Sequence, residues 1–233
     1  MKNKMVTQLY MIFGITFVAA ILMGNVMAAK QLAIGTWSTP AGVLVFPLSY
    51  IMSDVVAEVY GYKAMRRIIW IGFAFTALQA TLLTIAAHWA APVWYHNSTA
   101  FSVVVENAPR ILLAQVLAYL VGEWANAVVL SKMKSRNFEK NGTKNKFAWR
   151  AVASTIVGEG LDSLIFIPIA FVGVNPLPTI MTTVVLQASI KVAYEVIMLP
   201  FTNWLVNKVK HHEEIDHVDL NIKYNLVGKV QNN

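Results

Sequence analysis

The sequence predicts an all-α, polytopic membrane protein with six transmembrane helices, and three observations lead to this fold class. Of the 233 residues, 57% are hydrophobic and 13% are charged, whereas soluble domains contain about 25% charged residues. The mean hydropathy is +0.54. Uncharged runs recur as far as residue 206, and a spanning helix needs about 20 mainly apolar residues. A soluble enzyme and a disordered chain are therefore both excluded.

The apolar runs predict the six spans in order along the chain. The first covers Met5 to Ala29 and contains no charge. The next uncharged run is Gln31 to Ser53, where we expect a loop as far as Pro40 and then a second span to about Val59. This span should be irregular near Pro47, because proline disrupts helical hydrogen bonding. The other spans are predicted at about 68–90, 111–130, 150–172 and 179–206, with a loop at 91–110 and a basic connector at 131–149.

The predicted domain organisation is one transmembrane unit of six helices followed by a polar tail. The transmembrane unit comprises residues 1–206, and residues 207–233 form a polar tail that we expect in the cytoplasm. Six spans are also compatible with two three-helix halves of inverted topology, a plan that many transporters use. Small residues on exposed helix faces are compatible with a homodimer as well as with packing inside one chain.

The distribution of basic residues predicts the orientation of the spans. Sixteen of the nineteen Lys and Arg residues fall at the termini and in the loops of one side. Lys30 and Arg110 fall on the other side, and Lys191 lies inside a span. By the positive-inside rule, both termini are cytoplasmic. The net charge of +7 therefore indicates topology and contact with anionic membrane lipids, and not nucleic-acid binding.

Ionisable residues inside the predicted spans are the strongest functional signal, because each costs about 2.5–3.5 kcal/mol at a helix centre. They are Asp54 and Glu58 in the second span, Glu123 in the fourth, Glu159 and Asp162 in the fifth, and Lys191 and Glu195 in the sixth. One Lys cannot neutralise all these acids, which favours a polar pocket near the membrane midplane. The alternative is that Lys191 only pairs with a carboxylate and so stabilises the helix bundle.

Helical spacing places several of these residues on shared faces. Glu159, Asp162 and Phe166 follow one stripe of the fifth span, and a second stripe of the sixth span contains Gln187, Lys191, Tyr194 and Glu195. Asp54 lies one turn deeper than Glu58, so we expect it to face a cavity. Glu58 is expected at the membrane interface, paired with Arg66 or Arg67.

The sequence contains none of the common signatures of cofactor, metal or nucleophile chemistry. It has no Cys, which excludes disulfides and thiolate sites. The phosphate-binding loop Gly-x4-Gly-Lys-Ser/Thr, the zinc motif His-Glu-x2-His and the nucleophile motif Gly-x-Ser-x-Gly are all missing from the sequence. We therefore expect no cofactor, no metal site and no enzymatic activity, and no ATPase within this chain.

Three sequence blocks together resemble the queuosine-precursor transporter family, formerly described as vitamin uptake transporters. The first is Phe46 to Tyr62, FPLSYIMSDVVAEVYGY, and the second is Ala153 to Phe166, ASTIVGEGLDSLIF. Lys191 with Pro200 resembles the third block, and Asn25 matches a recurrent Asn of the first span. The resemblance covers about residues 10–206.

This resemblance implies a six-span protein of the bacterial inner membrane that imports 7-deazaguanine precursors of the tRNA base queuosine. The precursors are a 7-cyano and a 7-aminomethyl form, taken up for salvage without an ATPase partner. A deazaguanine presents a ring N–H and an exocyclic amine on one edge, and a carboxylate can accept hydrogen bonds from both. We therefore expect Glu159 and Asp162 to bind this nucleobase-like substrate, with Lys191 as a donor or charge partner.

Other residues are expected to complete the site. Donors to the ring oxygen, besides Lys191, would be Asn25, Gln187 or Tyr194, and aromatic platforms for the ring would be Phe46, Tyr50 or Phe166. Asp54, Glu123 and Glu195 are candidates for gating or proton coupling.

Two other functions fit the same composition. One is the substrate-binding membrane subunit of an energy-coupling-factor vitamin importer, which is also a small six-span protein but requires a separate ATPase module. The other is a membrane enzyme acting on a lipid or peptide, which the absence of a nucleophile motif disfavours.

Overall fold

A computed structural model describes residues 7–34, 37–106, 108–141, 147–173, 176–220 and 222–227. Within these residues the chain forms helices α1 (Gln8–Met27), α2 (Phe46–Tyr60), α3 (Tyr62–His88), α4 (Ser98–Glu106), α5 (Ala108–Asn141), α6 (Phe147–Phe171) and α7 (Leu177–Glu213). A short antiparallel hairpin of β1 (Gln31–Ile34) and β2 (Trp37–Pro40), followed by a 3-10 turn (Ala41–Leu44), connects α1 to α2.

Five helices of the described part are long and apolar enough to cross a membrane, which confirms an all-helical, polytopic architecture. They are α1, α3, residues Leu113–Lys140 of α5, α6 and α7. Helix α2 has 15 residues, which gives a length of about 22 Å, so it is shorter than the hydrocarbon core of about 30 Å. The predicted start of the first span, Met5, lies outside the described residues.

Two predicted non-helical segments are largely helical. Most of the predicted connector at 131–149 continues α5 as far as Asn141, because no Gly or Pro interrupts the sequence SKMKSRNFEKN. The predicted loop at 91–110 contains α4 and the start of α5. Helix α7 likewise extends beyond the predicted end at 206, to Glu213.

Helix α2 lies at the centre of the molecule and packs against α1, α3, α5 and α7. Twelve of its fifteen residues are buried. Pro47 occupies its first turn, where a missing N–H costs no helical hydrogen bond. Gly61 ends the helix with φ +85° and lets α3 begin one residue later. A side chain at this glycine would meet the ring of His217 at 2.3 Å.

Helices α5 and α6 form the most extensive helix pair, and two glycines face each other across it. A Cβ atom added to Gly122 would lie 3.0 Å from the carbonyl oxygen of Gly158. One added to Gly158 would lie 2.9 Å from the carbonyl oxygen of Gly122 and 2.9 Å from Asn126 Cβ. Backbone atoms cannot move aside as a flexible side chain can, so the pair permits a close helix approach that larger residues would prevent.

The segment after α7 folds back onto the opposite end of the bundle from the hairpin. His217 N donates to the Val59 carbonyl oxygen at 3.0 Å. Asp219 Oδ2 accepts from the Tyr62 backbone N and from Ser131 Oγ, each at 2.7 Å. Trp70 Nε1 donates to the carbonyl oxygen of Leu226 at 3.0 Å. We call residues 214–220 and 222–227 the docked segment, its end of the bundle the tail side, and the other end the hairpin side.

Candidate functional site

The candidate site is centred on Lys191 of α7, whose side chain lies buried between two carboxylates of α6. Lys191 Nζ is 2.6 Å from Glu159 Oε2 and 2.7 Å from Asp162 Oδ2. The two acids lie nearly one helical turn apart on α6, so both reach the same ammonium group. With both acids ionised, one Lys leaves a net negative charge that a ligand with N–H donors can compensate.

Two aromatic rings of α2 form one wall of this ion cluster. The ring centroids of Phe46 and Tyr50 lie 5.3 Å and 5.9 Å from Lys191 Nζ, within the range of cation–π contacts. Tyr50 also interacts electrostatically with Glu159. Phe46 is fixed between Gly24 and Gly42, where added Cβ atoms would meet its ring at 2.8 Å and 2.7 Å. The wall is therefore rigidly positioned.

A pocket opens beside this cluster and receives residues from five helices and from the end of β2. Its lining consists of Ile21, Asn25, Ala28, Pro40, Phe46, Ser49, Tyr50, Gln115, Tyr119, Glu123, Asp162, Phe166, Gln187 and Lys191. The volume that water can enter is about 30 Å³, which is room for about one or two water molecules. A planar bicyclic ligand would therefore require the surrounding helices to move apart.

Amide side chains form a polar edge of the pocket. Asn25 Nδ2 donates to Gln79 Oε1 at 3.2 Å, and Gln115 Nε2 donates to Asn25 Oδ1 at 2.5 Å. The Oε1 atoms of Gln115 and Gln187 are buried and have no hydrogen-bond donor among the described residues. Both residues line the pocket, so these oxygens are available to accept hydrogen bonds from a ligand.

Three further acids lie in the interior between the Lys191 cluster and the tail side. Glu123 lines the pocket, and its Oε2 accepts a hydrogen bond from Ser53 Oγ at 2.8 Å. Asp54 Oδ1 accepts from Asn126 Nδ2 at 2.9 Å. Asp54 and Glu195 do not line the pocket: each lies one turn further toward the tail side, on α2 and α7 respectively.

A separate charge cluster closes the bundle at the tail side. Glu58 Oε1 lies 3.0 Å from Arg150 Nη2 and 2.6 Å from Lys210 Nζ. Asp216 Oδ1 of the docked segment lies 2.6 Å from Lys134 Nζ and 3.1 Å from Lys210 Nζ. Burial alone would raise the pKa of Asp216, but Lys134 and Lys210 together lower its pKa below the usual value.

This cluster corrects the sequence-based pairing of Glu58 with Arg66 or Arg67. Glu58 is fully buried and not interfacial, and its ion-pair partners come from α5, α6 and α7. The physical reason is that α5 and α7 continue past the predicted ends of their spans. These extensions bring Lys134 and Lys210 to the end of α2, beside Arg150 at the start of α6.

The structure brings most of the predicted site residues together. Eight line the pocket: Asn25, Phe46, Tyr50, Glu123, Asp162, Phe166, Gln187 and Lys191. Glu159 contacts Lys191, whereas Tyr194 is not in the pocket and its side chain is 38% exposed. Gln187, Lys191 and Glu195 follow i, i+4, i+8 along the inward face of α7, and Tyr194 is rotated about 60° from Lys191.

Some residues of the site were not predicted from the sequence. Gln115 and Tyr119 line the pocket together with Glu123. The three follow i, i+4, i+8 on α5, so the face occupied by the one predicted acid could have identified the other two. Asn126 and Gln79 act through hydrogen bonds to Asp54 and Asn25, and no spacing in the sequence indicates these inter-helix contacts.

Comparison with known proteins gives this site a family context. A family model described as "Putative vitamin uptake transporter" matches residues 40–205, more than half of the chain. The chain belongs to this family. A similar protein is the "Probable queuosine precursor transporter" of Bacillus subtilis (strain 168), 24% identical over 189 residues that cover 78% of each chain. No solved structure matches the chain.

Family membership confirms the resemblance found in the sequence and makes the chain a multi-pass membrane transporter, not an enzyme. The matched region extends from the end of β2 into α7 and includes both carboxylates and the Lys of the central cluster. Residues of α1 and the docked segment lie outside it.

Proposed function

We propose that this vitamin uptake family transporter imports a 7-deazaguanine precursor of queuosine, in its 7-cyano or 7-aminomethyl form, for salvage into tRNA. The observation that supports this most strongly is the cluster of Lys191 with Glu159 and Asp162 against two aromatic rings. Flat rings with adjacent N–H donors and a carbonyl oxygen complement such a cluster. The printed name of the Bacillus subtilis relative agrees with this substrate class.

In the proposed complex, the ligand replaces part of the Lys191 ion cluster. Asp162 is the less enclosed of the two acids, with 16% of its side chain exposed against 2% for Glu159. Asp162 would accept the ring N–H and the exocyclic amine as a bidentate pair. Lys191, still paired with Glu159, would donate to the ring oxygen. Glu159 would thus bind the substrate through Lys191 and Tyr50 more than by direct contact.

The remaining pocket residues would complete recognition. Phe46, Tyr50 and Phe166 would contact the faces of the ring system, with an apolar area suited to a flat ligand. The buried oxygens of Gln115 and Gln187, which have no donor among the described residues, would accept hydrogen bonds from the remaining amines. Asn25, fixed by its two amide neighbours, would orient Gln115.

Transport would proceed by alternating access around this site. The described conformation has a contracted pocket with the tail side closed by the Glu58 and Asp216 ion pairs. Opening that side requires α2 and α7 to separate. Asp54, Glu123 and Glu195, which lie along the same interior track, are our candidates for gating or proton coupling.

We propose six membrane crossings, with both termini in the cytoplasm of a bacterial cell. The 3-10 turn and helix α2 together form one mostly buried helical segment, residues 41–60, long enough for a short crossing next to the hairpin. The cations Lys63, Arg66 and Lys134 lie at the tail side, which supports a cytoplasmic location for that side.

The orientation can be tested directly because the chain contains no Cys. Single substitutions His212→Cys on the tail side and Asn97→Cys beyond α3 place one thiol on each side. A membrane-impermeant maleimide applied to intact cells should label Asn97→Cys, and label His212→Cys only after lysis. Labelling of His212→Cys in intact cells would show that the orientation is opposite to the one proposed.

Substrate identity requires uptake by the purified protein. In liposomes that contain this chain alone, uptake of labelled 7-cyano-7-deazaguanine and 7-aminomethyl-7-deazaguanine should saturate, and guanine and adenine should compete poorly. Uptake without any ATPase would also exclude the energy-coupling-factor subunit. Saturable uptake of a vitamin, with no uptake of either deazaguanine, would contradict the proposed substrate.

A further inference from the structure

Two acids in the interior, Asp54 of α2 and Glu195 of α7, lack the partners that buried carboxylates require. The residues are 0% and 2% exposed. Asp54 Oδ1 accepts one hydrogen bond from Asn126. Asp54 Oδ2 and both carboxylate oxygens of Glu195 are buried, with no donor among the described residues. Buried polar atoms without a partner are rare, so these three oxygens indicate a species that the protein itself does not supply.

The charged groups around the pair add negative charge. Glu195 of α7, Glu123 of α5 and Glu58 of the same helix all lie near enough to Asp54 to repel its negative charge. The nearest basic residues are already paired: Lys191 with Glu159 and Asp162, and Arg150 with Glu58. In the part of the chain that the structure describes, no ion pair joins a Lys or Arg to Asp54 or Glu195.

A proton reduces both deficits of this pair. Two buried carboxylates that repel each other in a low-dielectric interior cannot both stay ionised at an acceptable free-energy cost. One proton removes one of the two charges, and as an O–H group it supplies a donor for two of the three oxygens, as in other buried carboxylate pairs. We propose that Asp54 and Glu195 together bind one proton, and that this proton is transported with the substrate as the coupling ion.

The position of the pair links proton binding to the substrate site. Asp54 follows Tyr50 by four residues on α2, and Glu195 follows Lys191 by four residues on α7. Each carboxylate is therefore one helical turn from a pocket residue on the same rigid helix. Any separation of α2 from α7 that admits or releases substrate also separates the two carboxylates.

The direction of coupling follows from this geometry. When the pair is closed, the shared proton is favoured. When the tail side opens, water reaches both carboxylates, each returns to the ionised form that it prefers in water, and the proton leaves to that side. One proton and one substrate thus enter together. The empty carrier then closes its tail side and opens its hairpin side, from which the pair takes up the next proton. This step rests on the proposed transport function.

Sodium is the alternative ion. Asn126 Oδ1 and Thr155 Oγ1 are further buried oxygens without a described donor, and such oxygens could join carboxylates around Na⁺. A sodium ion, however, needs space and several oxygen ligands, whereas a shared proton needs neither. Neither Asp54 nor Glu195 borders the pocket volume, which favours the proton.

Transport under imposed gradients tests the proposal. Purified protein in liposomes is given labelled 7-cyano-7-deazaguanine with an inward proton gradient, an inward sodium gradient, or no gradient. We expect the proton gradient alone to raise the initial rate several-fold and to drive accumulation above equilibrium. Stimulation by sodium, or equal rates in all three conditions, would overturn the proposal.

Variants identify the residues. Asp54→Asn and Glu195→Gln should each abolish stimulation by the proton gradient while substrate exchange at equal pH continues. Glu139→Gln removes an exposed carboxylate of α5 and should behave like the unmodified protein. If one interior variant fails to give a monodisperse protein, the other still decides the matter. Gradient-driven accumulation in a folded interior variant would overturn the assignment.

A spectroscopic measurement separates the proton site from the substrate proposal. Infrared difference spectra of the purified protein between acidic and alkaline pH should show a protonated carboxyl band that is lost in Asp54→Asn and in Glu195→Gln but kept in Glu139→Gln. This band requires no substrate. If the band is present but neither deazaguanine is taken up, the proposed function is contradicted and the proton site is not. If the band is absent, the proton site is overturned and the proposed function is not.

Discussion

At the scale of single residues, the site depends on how one ammonium is shared. Lys191 contacts Asp162 and Glu159 at nearly equal distances, but only Asp162 lines the open pocket. The two carboxylates therefore differ in role although they have the same chemistry. We propose that Glu159 is the permanent partner of Lys191 and that Asp162 is the partner that a ligand can recruit.

Asp162→Asn should therefore weaken substrate binding without unfolding the protein. The substitution replaces a charge-assisted bidentate acceptor, worth about 1.5–3 kcal/mol per hydrogen bond to a charged group, by a weaker one. We expect the dissociation constant to rise about 10-fold or more, measured by calorimetry with both deazaguanines. Unchanged affinity would remove Asp162 from the substrate site.

Removal of the Lys191 ammonium group should lower stability as well as binding, unlike the substitution of Asp162. Lys191→Met leaves Glu159 and Asp162 buried without their cation, and breaking a buried pair in this way costs about 3–5 kcal/mol. We expect a loss of thermal stability as well as of binding, measured by the unfolding temperature in detergent. An unfolding temperature as high as that of the unmodified protein would show that the pair does not stabilise the bundle.

Two tyrosines provide a matched comparison. Tyr50 lines the pocket and interacts with Glu159, whereas Tyr194 lies on the outer part of α7. Tyr50→Phe removes a hydroxyl from the site and should lower affinity several-fold, and Tyr194→Phe should leave affinity unchanged. A loss of substrate affinity in Tyr194→Phe would show that Tyr194 takes part in binding although it lies outside the pocket in this structure.

At the scale of secondary-structure elements, the contact between α5 and α6 sets the distance between Glu123 on α5 and the two carboxylates, Glu159 and Asp162, on α6. Gly122 and Gly158 meet through their backbones, which places Asn126 against α6 and Asp162 against α5. A closer or wider crossing would change the depth of the pocket. Neither glycine lines the pocket, so we expect both to affect function through helix spacing and not through a contact with substrate.

Alanine substitutions at two glycines of α6 distinguish the effect of the close α5–α6 contact on stability from the effect of helix propensity. Gly158→Ala introduces a Cβ 2.9 Å from backbone and side-chain atoms of α5, and such overpacking costs about 1–3 kcal/mol. At Gly160 nothing lies within 4 Å, so Gly160→Ala should be neutral or stabilising by about 0.5–1 kcal/mol. Unfolding temperatures of the two variants test this, and equal shifts would contradict the close contact.

The same elements show what the sequence could predict. Helical spacing was sufficient to predict the inward positions of Glu159, Asp162 and Lys191, because these residues are too costly to face lipid. It also placed Tyr194 on the inward stripe of α7, whereas the structure leaves this residue outside the pocket. Helix ends were not predictable, because α5 and α7 continue past the apolar core with residues that form helices equally well in water. The partners of Glu58 depend on those extensions, so the pairing derived from the sequence was wrong.

At the scale of the whole molecule, the docked segment connects helices that are distant in sequence. It contacts the end of α2 through Val59, the start of α3 through Tyr62 and Trp70, and α5 through Ser131. Its Asp216 also joins the ion cluster of Glu58 through Lys134 and Lys210. Any opening of the tail side must therefore displace this segment or move with it.

The docking of this segment should depend on pH through Asp219. Burial alone would raise the pKa of this carboxyl, but the nearby His217 ring and hydrogen bonds from the Tyr62 backbone and Ser131 lower its pKa below the usual value. A group whose pKa is lower in the docked state stabilises docking at pH values above its undocked pKa of about 4. This stabilisation is lost as the pH falls further, through the lowered pKa of the docked state.

A spin label on Lys223→Cys, an exposed position of the docked segment in a chain without other Cys, reports this docking at any pH. The label should be immobile from neutral pH to about pH 4 and gain mobility below it. Asp219→Asn should give a mobile label already at neutral pH, because an amide cannot accept the same charge-assisted hydrogen bonds. An immobile label in this variant would show that the ion cluster around Asp216 is sufficient to dock the segment, and that the tail side closes without Asp219.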